Sequence, residues 1–298
     1  MFAVVGVLML AMPVSGWAEA AIFGALNLEY GRIDEQGRHH YRFNDRGTRF
    51  GLKGAYFLED RLVANYILEV APAVADHGSA ADETRQAWWG LQGEFGEVRL
   101  GRHLSPARVS VSPVELFDSQ QADQNQVLED ERVYNRSLTY INRFNQFGYA
   151  VSVATNADDR LSVDVLINRE AGPYYWAIAH VQGGDHRNTT RLAGVYRLEG
   201  GHQLGAAYEH VADEQGQGGH DAYLVNGAYR LGKTRFKAQF GWNNPEAVGK
   251  TETLLGLGVD YDVRDDLQLR FQYSLQRYRD HTAQDREHAL TMGVNYRF

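Results

Sequence analysis

The chain has 298 residues with 38 acidic and 30 basic side chains, a formal net charge of −8. A balance this acidic argues against a general nucleic-acid binder, which needs cations to neutralise phosphates. Cysteine is absent, which excludes thiol catalysis, disulfides and cysteine-based zinc sites.

Residues 2–14 form an apolar run, FAVVGVLMLAMPV, and Ala18-Glu19-Ala20 follows as a small-x-small site. This is the layout of a secretory signal peptide, so a leader over 1–20 and a mature domain over 21–298 are expected. The leader lacks the usual basic residue ahead of its apolar run. Beyond it, no apolar stretch approaches the roughly 20 residues of a membrane helix. Mean hydropathy is −0.45. Any membrane crossing must therefore be made by strands, of which only alternate residues face lipid.

Period-two alternation starts at once and recurs to the last residue. Ile22, Leu26, Leu28 and Tyr30 share one face. Over 46–57, Phe50, Leu52 and Tyr56 oppose Arg49, Gly51 and Lys53; over 61–70, Leu62, Tyr66, Leu68 and Val70 oppose Asn65 and Glu69. The segments 160–169, 234–243 and 267–276 repeat the pattern, with Asp164, Lys237, Gln239 and Arg270 on their polar faces. A packed sandwich core would not bury such charges. The apolar faces are expected to meet lipid and the polar faces a water-filled interior. Tight connections such as LEDR (58–61), GEFG (93–96), LEGG (198–201) and VRDD (263–266) alternate with longer ones at 32–44, 72–83, 104–131, 213–220, 243–250 and 279–287. Short periplasmic turns and longer external loops are the arrangement of an outer-membrane barrel. The expected fold is an all-β transmembrane antiparallel β-barrel of about sixteen strands, an even number as a single-chain bacterial barrel requires. The final ALTMGVNYRF (289–298) ends inside a strand. A last strand paired with the first would leave no edge exposed.

Several motifs, in order, carry a family resemblance. AIFGALNLEYG (21–31), TRFGLKG (48–54), ETRQAWWGLQGEFGEVRLGR (83–102), NRSLTY (135–140) and the terminal Tyr296-Arg297-Phe298 together resemble the general diffusion porins of Gram-negative outer membranes, the sixteen-stranded trimeric kind. The resemblance spans the whole mature chain. It implies that the third external loop folds into the barrel and sets acidic residues against arginines on the wall. That loop is 104–131, the longest, with Glu115, Asp118, Asp123, Glu129, Asp130 and Glu131 against Arg108 alone. By that likeness Glu115 and Asp118 are the acidic side of the constriction, and Arg49, Arg85, Arg132 and Lys53 the basic wall. Arg49 points inward by its parity opposite Phe50, and Arg85 does so if Trp88 points outward. Arg132 shares parity with the lipid-facing Leu138 unless a bulge follows the loop, and Arg136 has the same difficulty. Tyr296 and Phe298 match the C-terminal aromatic signal that the family's assembly machinery reads.

The implied function is a water-filled channel for passive diffusion of ions and small hydrophilic solutes in the Gram-negative outer membrane. The loop's excess of carboxylates leans toward cations. The implied partners are two further copies in a homotrimer, outer-membrane lipid, the barrel assembly machinery and the solutes, with no nucleic acid. No cofactor or metal is expected: the sequence has neither a G-x-S-x-G nucleophile turn nor an HExxH motif, so an enzyme is disfavoured. A substrate-specific channel and a non-conducting structural barrel are the alternatives.

Overall fold

A computed structural model describes residues 18–35, 37–72, 83–117, 121–128, 133–155, 160–183, 188–212, 219–245, 251–279 and 284–298. Its strands are β1 (Ala18–Glu35), β2 (Arg38–Asp45), β3 (Arg49–Glu59), β4 (Leu62–Ala71), β5 (Glu83–Gly93), β6 (Gly96–Leu104), β7 (Val133–Phe144), β8 (Phe147–Thr155) and β9 (Leu161–Ala171). They continue as β10 (Tyr174–Gly183), β11 (Thr189–Leu198), β12 (His202–Val211), β13 (His220–Leu231), β14 (Thr234–Pro245), β15 (Thr251–Arg264), β16 (Leu267–Arg279) and β17 (Gln284–Arg297). One short helix, α1 (Pro106–Val111), lies between β6 and β7.

Successive strands pair antiparallel, and the last closes on the first, from Ala25 opposite Arg297 to Glu35 opposite Glu287. At the seam the Gly24 N–H donates to the Phe298 carbonyl at 3.0 Å, and the Phe298 N–H returns a bond to Gly24 at 3.1 Å. Closure removes the edge that a terminal strand would otherwise expose. It also pairs the backbone groups that hydrocarbon would leave unsatisfied.

The 17 strand segments form a closed barrel of 16 staves, because β2 and β3 are one stave broken in the middle. β2 pairs with Leu28–Glu35 of β1, and β3 with Ala18–Ala25. Between them the Asp45 carboxylate accepts from the N–H groups of Gly47 (3.0 Å) and Thr48 (2.7 Å), and Gly47 adopts φ 94°. This Asx turn inserts one extra residue opposite β1, a β-bulge. The bulge reverses parity: odd-numbered Tyr41 and Phe43 face outward before it, even-numbered Phe50 after it. The long connection expected at 32–44 is instead mostly strand, with β1 running to Glu35 and β2 starting at Arg38.

The outer face is the apolar one. Ile22, Leu68, Trp89, Leu138, Ile167, Val225, Phe271 and Met292 all project from it. Aromatic pairs ring both ends. Tyr174 stacks on Tyr196 (4.9 Å) and His202 on Tyr229 (4.5 Å) beside the tight turns; Tyr208, Tyr223 and Trp242 form a run (5.1 and 5.4 Å) beside the longer connections. These are the two interfacial girdles of a membrane barrel.

The inner face gathers most of its apolar side chains on one side, where they alternate with buried polar ones such as Asp164, Arg191 and Glu209. From β8 to β13 it carries Ala150, Ala154, Leu166, Ala177, Ala179, Val181, Ala193, Val195, Ala207, Ala222 and Leu224, all buried. A uniformly polar interior was the expectation. The reason for the difference is packing: this is the floor on which the third loop rests.

Candidate pore constriction

The loop begins with α1. Ser105 caps it, its hydroxyl accepting the Arg108 N–H at 3.1 Å, and Pro106 occupies the first turn where a missing N–H costs nothing. Ala107 and Val111 of α1, with Val114 after it, join the apolar cluster of Leu166, Ala177, Ala179, Ala193 and Val195. The small side chains of the strands leave room for the helix.

Inward polar side chains then fasten the loop's backbone along the wall. Asp164 accepts the Ala107 N–H (3.0 Å) and the Tyr175 hydroxyl donates to the Ser110 carbonyl (2.8 Å). Gln203 reaches Pro113 (3.0 Å), Asn226 reaches Val114 (2.6 Å), Lys237 reaches Leu116 (2.9 Å) and Asn243 reaches Val127 (2.8 Å). Gln239 and Gln276 donate to the carbonyls of Ala122 and Gln121. Lys237 is itself paired with Asp260 at 2.9 Å and lies 4.7 Å from the Phe117 ring. A fully buried Arg191–Glu209 pair sits under α1, Arg191 also donating to the Ala107 carbonyl at 3.4 Å. The described parts of the third loop, 105–117 and 121–128, thus lie inside the barrel, against β9 to β16.

The opposite wall stays open. Arg49, Arg85 and Arg99 keep about a third of their side-chain surface exposed, at 38%, 32% and 30%. Glu69 is buried between the first two: Arg85 Nε lies 3.1 Å from Oε1 and Arg49 Nε 3.7 Å from Oε2. Across from them the loop presents Glu115, bonded to its own Arg108 at 2.8 Å, and Asp123, which meets Arg46 of the β2–β3 bulge at 3.4 Å. Burial first, then the neighbouring Glu115, pushes the Asp123 carboxyl up to about 7, against the pull of Arg46 and Arg108.

Arg49 stands on the inner face, as its parity implies. Arg85 has outward parity, yet it is the extra residue where Glu69 pairs with Gln86 and Val70 with Thr84. That bulge swings its side chain to Glu69. The premise that Trp88 faces outward is wrong: Trp88 is buried inside beneath the Arg99 guanidinium at 4.2 Å, and Trp89 is the lipid-facing indole. Lys53 is inward but apart, its ammonium 5.3 Å from the Phe23 ring. A bulge does follow the loop. Gly101 pairs with Ser137 and His103 with Tyr134, which places both Tyr134 and Ser137 inside. Arg136 is exposed and keeps the outer parity of Leu138. Arg132, Asp118 and the acids at 129–131 lie outside the described residues, as do residues 1–17 of the expected leader. Tyr296 and Phe298 sit on the outer face at the seam, rings 6.0 Å apart.

Sequence reasoning passes over Glu69, Arg46 and Asp123 as pore residues. Glu69 was legible as a mid-strand carboxylate with inward parity. Arg46 carries the weaker signal of an Asp-x-Gly turn (45–47) in mid-stave.

A closed barrel with lipid-facing girdles, an inward-folded loop and charged side chains of both signs along the remaining gap defines a membrane channel. Residues 4–281 match the family model described as Gram-negative porin, and the chain belongs to that family. It is an outer-membrane porin, a water-filled channel for passive diffusion of ions and small hydrophilic solutes. Among curated proteins it is 27% identical to the major outer membrane protein P.IB of Neisseria sicca over 67% of this chain and 66% of that one, just under two thirds of its length. It is 25% identical to the outer membrane porin protein 32 of Delftia acidovorans over 93% of this chain and 79% of that one. In fold it resembles the anion-selective porin from Comamonas acidovorans (TM-score 0.79, 18% identity, covering 95% and 100% of the two chains). It also resembles the trimer form of OmpT from Vibrio cholerae (TM-score 0.74, 15% identity, covering 94% and 99%).

Proposed function

We propose that solutes pass between the Arg49–Arg85 wall and the loop edge at Glu115, beside the Arg46–Asp123 contact that joins wall and loop, and that this gap favours small anions over cations. The carrying observation is the pairing pattern. Among the described residues, Glu115 pairs with Arg108, Asp123 with Arg46, and Glu69 with both Arg49 and Arg85. Among these described groups four guanidiniums meet three carboxylates, and Asp123 loses its charge below about pH 7. Against the cation lean of the loop's composition, its described carboxylates, Glu115 and Asp123, are each matched locally by an arginine. Asp118 and Arg132 remain candidates on the two sides of the gap, and Lys53 a further basic group on the wall.

The active form is a homotrimer acting without catalysis on its solutes. Its leader over 1–20 is removed, leaving 21–298, and Tyr296 and Phe298 present the C-terminal signal to the barrel assembly machinery. The test is planar-bilayer conductance in a salt gradient. Openings in threes, with a reversal potential marking anion preference, support this reading. Arg49→Ala is expected to move that potential toward cations and Glu115→Ala further toward anions. N-terminal sequencing of the exported protein checks the cleavage site.

A further inference from the structure

Beneath α1, on the side of the tight turns, the lumen holds a recess of about 510 Å³. Small-molecule sites have volumes of this order. Its ceiling is α1, which buries Ala107, Ser110 and Val111 against the wall and turns Val109 the other way, 41% exposed. Pro106 of the helix and Ile141 and Leu166 of the wall continue the apolar surface. Water covers such a surface at a cost, and an apolar body entering the recess would replace it.

The rim of the recess is charged. Arg99 is engaged there: Nε and Nη2 donate to the two Glu97 oxygens at 2.8 and 2.9 Å, and its guanidinium lies over Trp88. Glu94 pairs with Arg61. Arg143 differs. It has the inward parity of Thr139 and Ile141 and is exposed, and among the described residues its guanidinium makes no hydrogen bond or ion pair. Arg143 lies opposite Gly148 of β8, and Gly148 opposite Asn168 of β9. Because Gly148 has no side chain, Asn168 leans across it toward β7; a Cβ at that glycine would overlap the Asn168 amide oxygen. A guanidinium fork and an amide thus face one opening. The fork matches the two oxygens of a carboxylate. A second carboxylate on the same molecule would meet Glu97, so one negative charge fits better than two.

We propose that this recess binds monocarboxylates with an apolar body, aromatic or branched aliphatic, the carboxylate on Arg143 beside Asn168 and the body on Val109, Ile141 and Leu166. The proposal rests on the channel reading and names one class of solute for it. Benzoate is the probe, added to single channels in KCl. It is expected to reduce the current saturably, with half-effect on the order of 10 mM. Acetate lacks the apolar body and benzyl alcohol the charge; each is expected to act at least about five-fold more weakly. Arg143→Gln is expected to raise the half-effect concentration at least about five-fold, and Val109→Thr about three-fold, each read against that variant's own KCl current. Arg169→Gln removes the same charge at the same end of the barrel, but beside the outward Phe147, and is expected to match the parent. A parent that conducts in KCl but shows no saturable reduction overturns the proposal and leaves the channel reading standing. So does acetate or benzyl alcohol acting as strongly as benzoate, an unchanged half-effect in Arg143→Gln or Val109→Thr, or an equal rise in Arg169→Gln. Saturation-transfer NMR with benzoate on the solubilised barrel reads the same binding without conduction, so a barrel silent in KCl still tests the recess. Transfer is expected in the parent and its loss in Arg143→Gln; equal transfer in the two overturns the proposal.

Discussion

Replacing Glu69 by Gln tests the electrostatics of the gap most directly. The carboxylate is 7% exposed and lies between the guanidiniums of Arg49 and Arg85, so its removal takes one negative charge from beside two cations that face the lumen. The amide is isosteric and still accepts from Arg85. An ion passing about 5 Å away would feel roughly 0.8 kcal/mol less interaction in a water-like dielectric. Screening over a Debye length near 10 Å at 0.1 M salt reduces this to about 0.5 kcal/mol. That is about a 2.3-fold gain for an anion and an equal loss for a cation, so the anion-to-cation permeability ratio should rise about five-fold. The figure is a floor, because a lower effective dielectric in the gap enlarges it. The assay is the zero-current potential across a tenfold KCl gradient. An unchanged potential, or one displaced toward cations, refutes the assignment of Glu69, Arg49 and Arg85 to the ion path.

Three further outcomes are expected. Asp123 stands near 7 rather than 3.8, so the proton favours the docked loop: that stabilisation is full below about pH 4 and is lost as pH rises through about 7. Anion preference should accordingly grow on going from pH 8 to pH 5, whereas Asp123→Asn should show the low-pH value throughout in the same reversal-potential titration. Gly24→Val places a Cβ 2.4 Å from the Phe298 ring and 2.9 Å from the Arg49 carbonyl. It should weaken the seam by about 1–3 kcal/mol, read as a lower temperature for the heat-induced mobility shift on gels. Lys237→Met removes the ammonium 2.9 Å from the buried Asp260 carboxylate and releases the Leu116 carbonyl. A cost of about 3–5 kcal/mol follows from breaking such a pair, visible in urea unfolding and as added open-channel noise from a loosened loop.

The sequence by itself determined the barrel. Alternation runs through the last strand segment, the connections alternate in length, and a sheet with one apolar face leaves no open edge in lipid when its last strand pairs with its first. Parity also sufficed to put Arg49, Lys53 and Glu69 inside, since every second side chain of a regular strand points the same way. What only the tertiary structure decided lies where that count is broken. The bulges at Asp45–Thr48, at Arg85 and between Tyr134 and Ser137 each shift the register by one residue. They bring Arg46 and Arg85 to the pore and put Trp88 inside rather than Trp89. A single inserted residue exchanges the two faces of a strand, and an alternation pattern read across it carries the wrong sign. The local pairing of Glu115 and Asp123 was hidden for a related reason. Glu115 and Asp123 are neighbours of Arg108 and Arg46 only once Ala177 and Ala179 give α1 a place to lie and Lys237, Gln239 and Asn243 hold the described loop backbone against the far wall. Charge composition is additive along a chain, but the field in the pore depends on which charges the folded loop sets side by side.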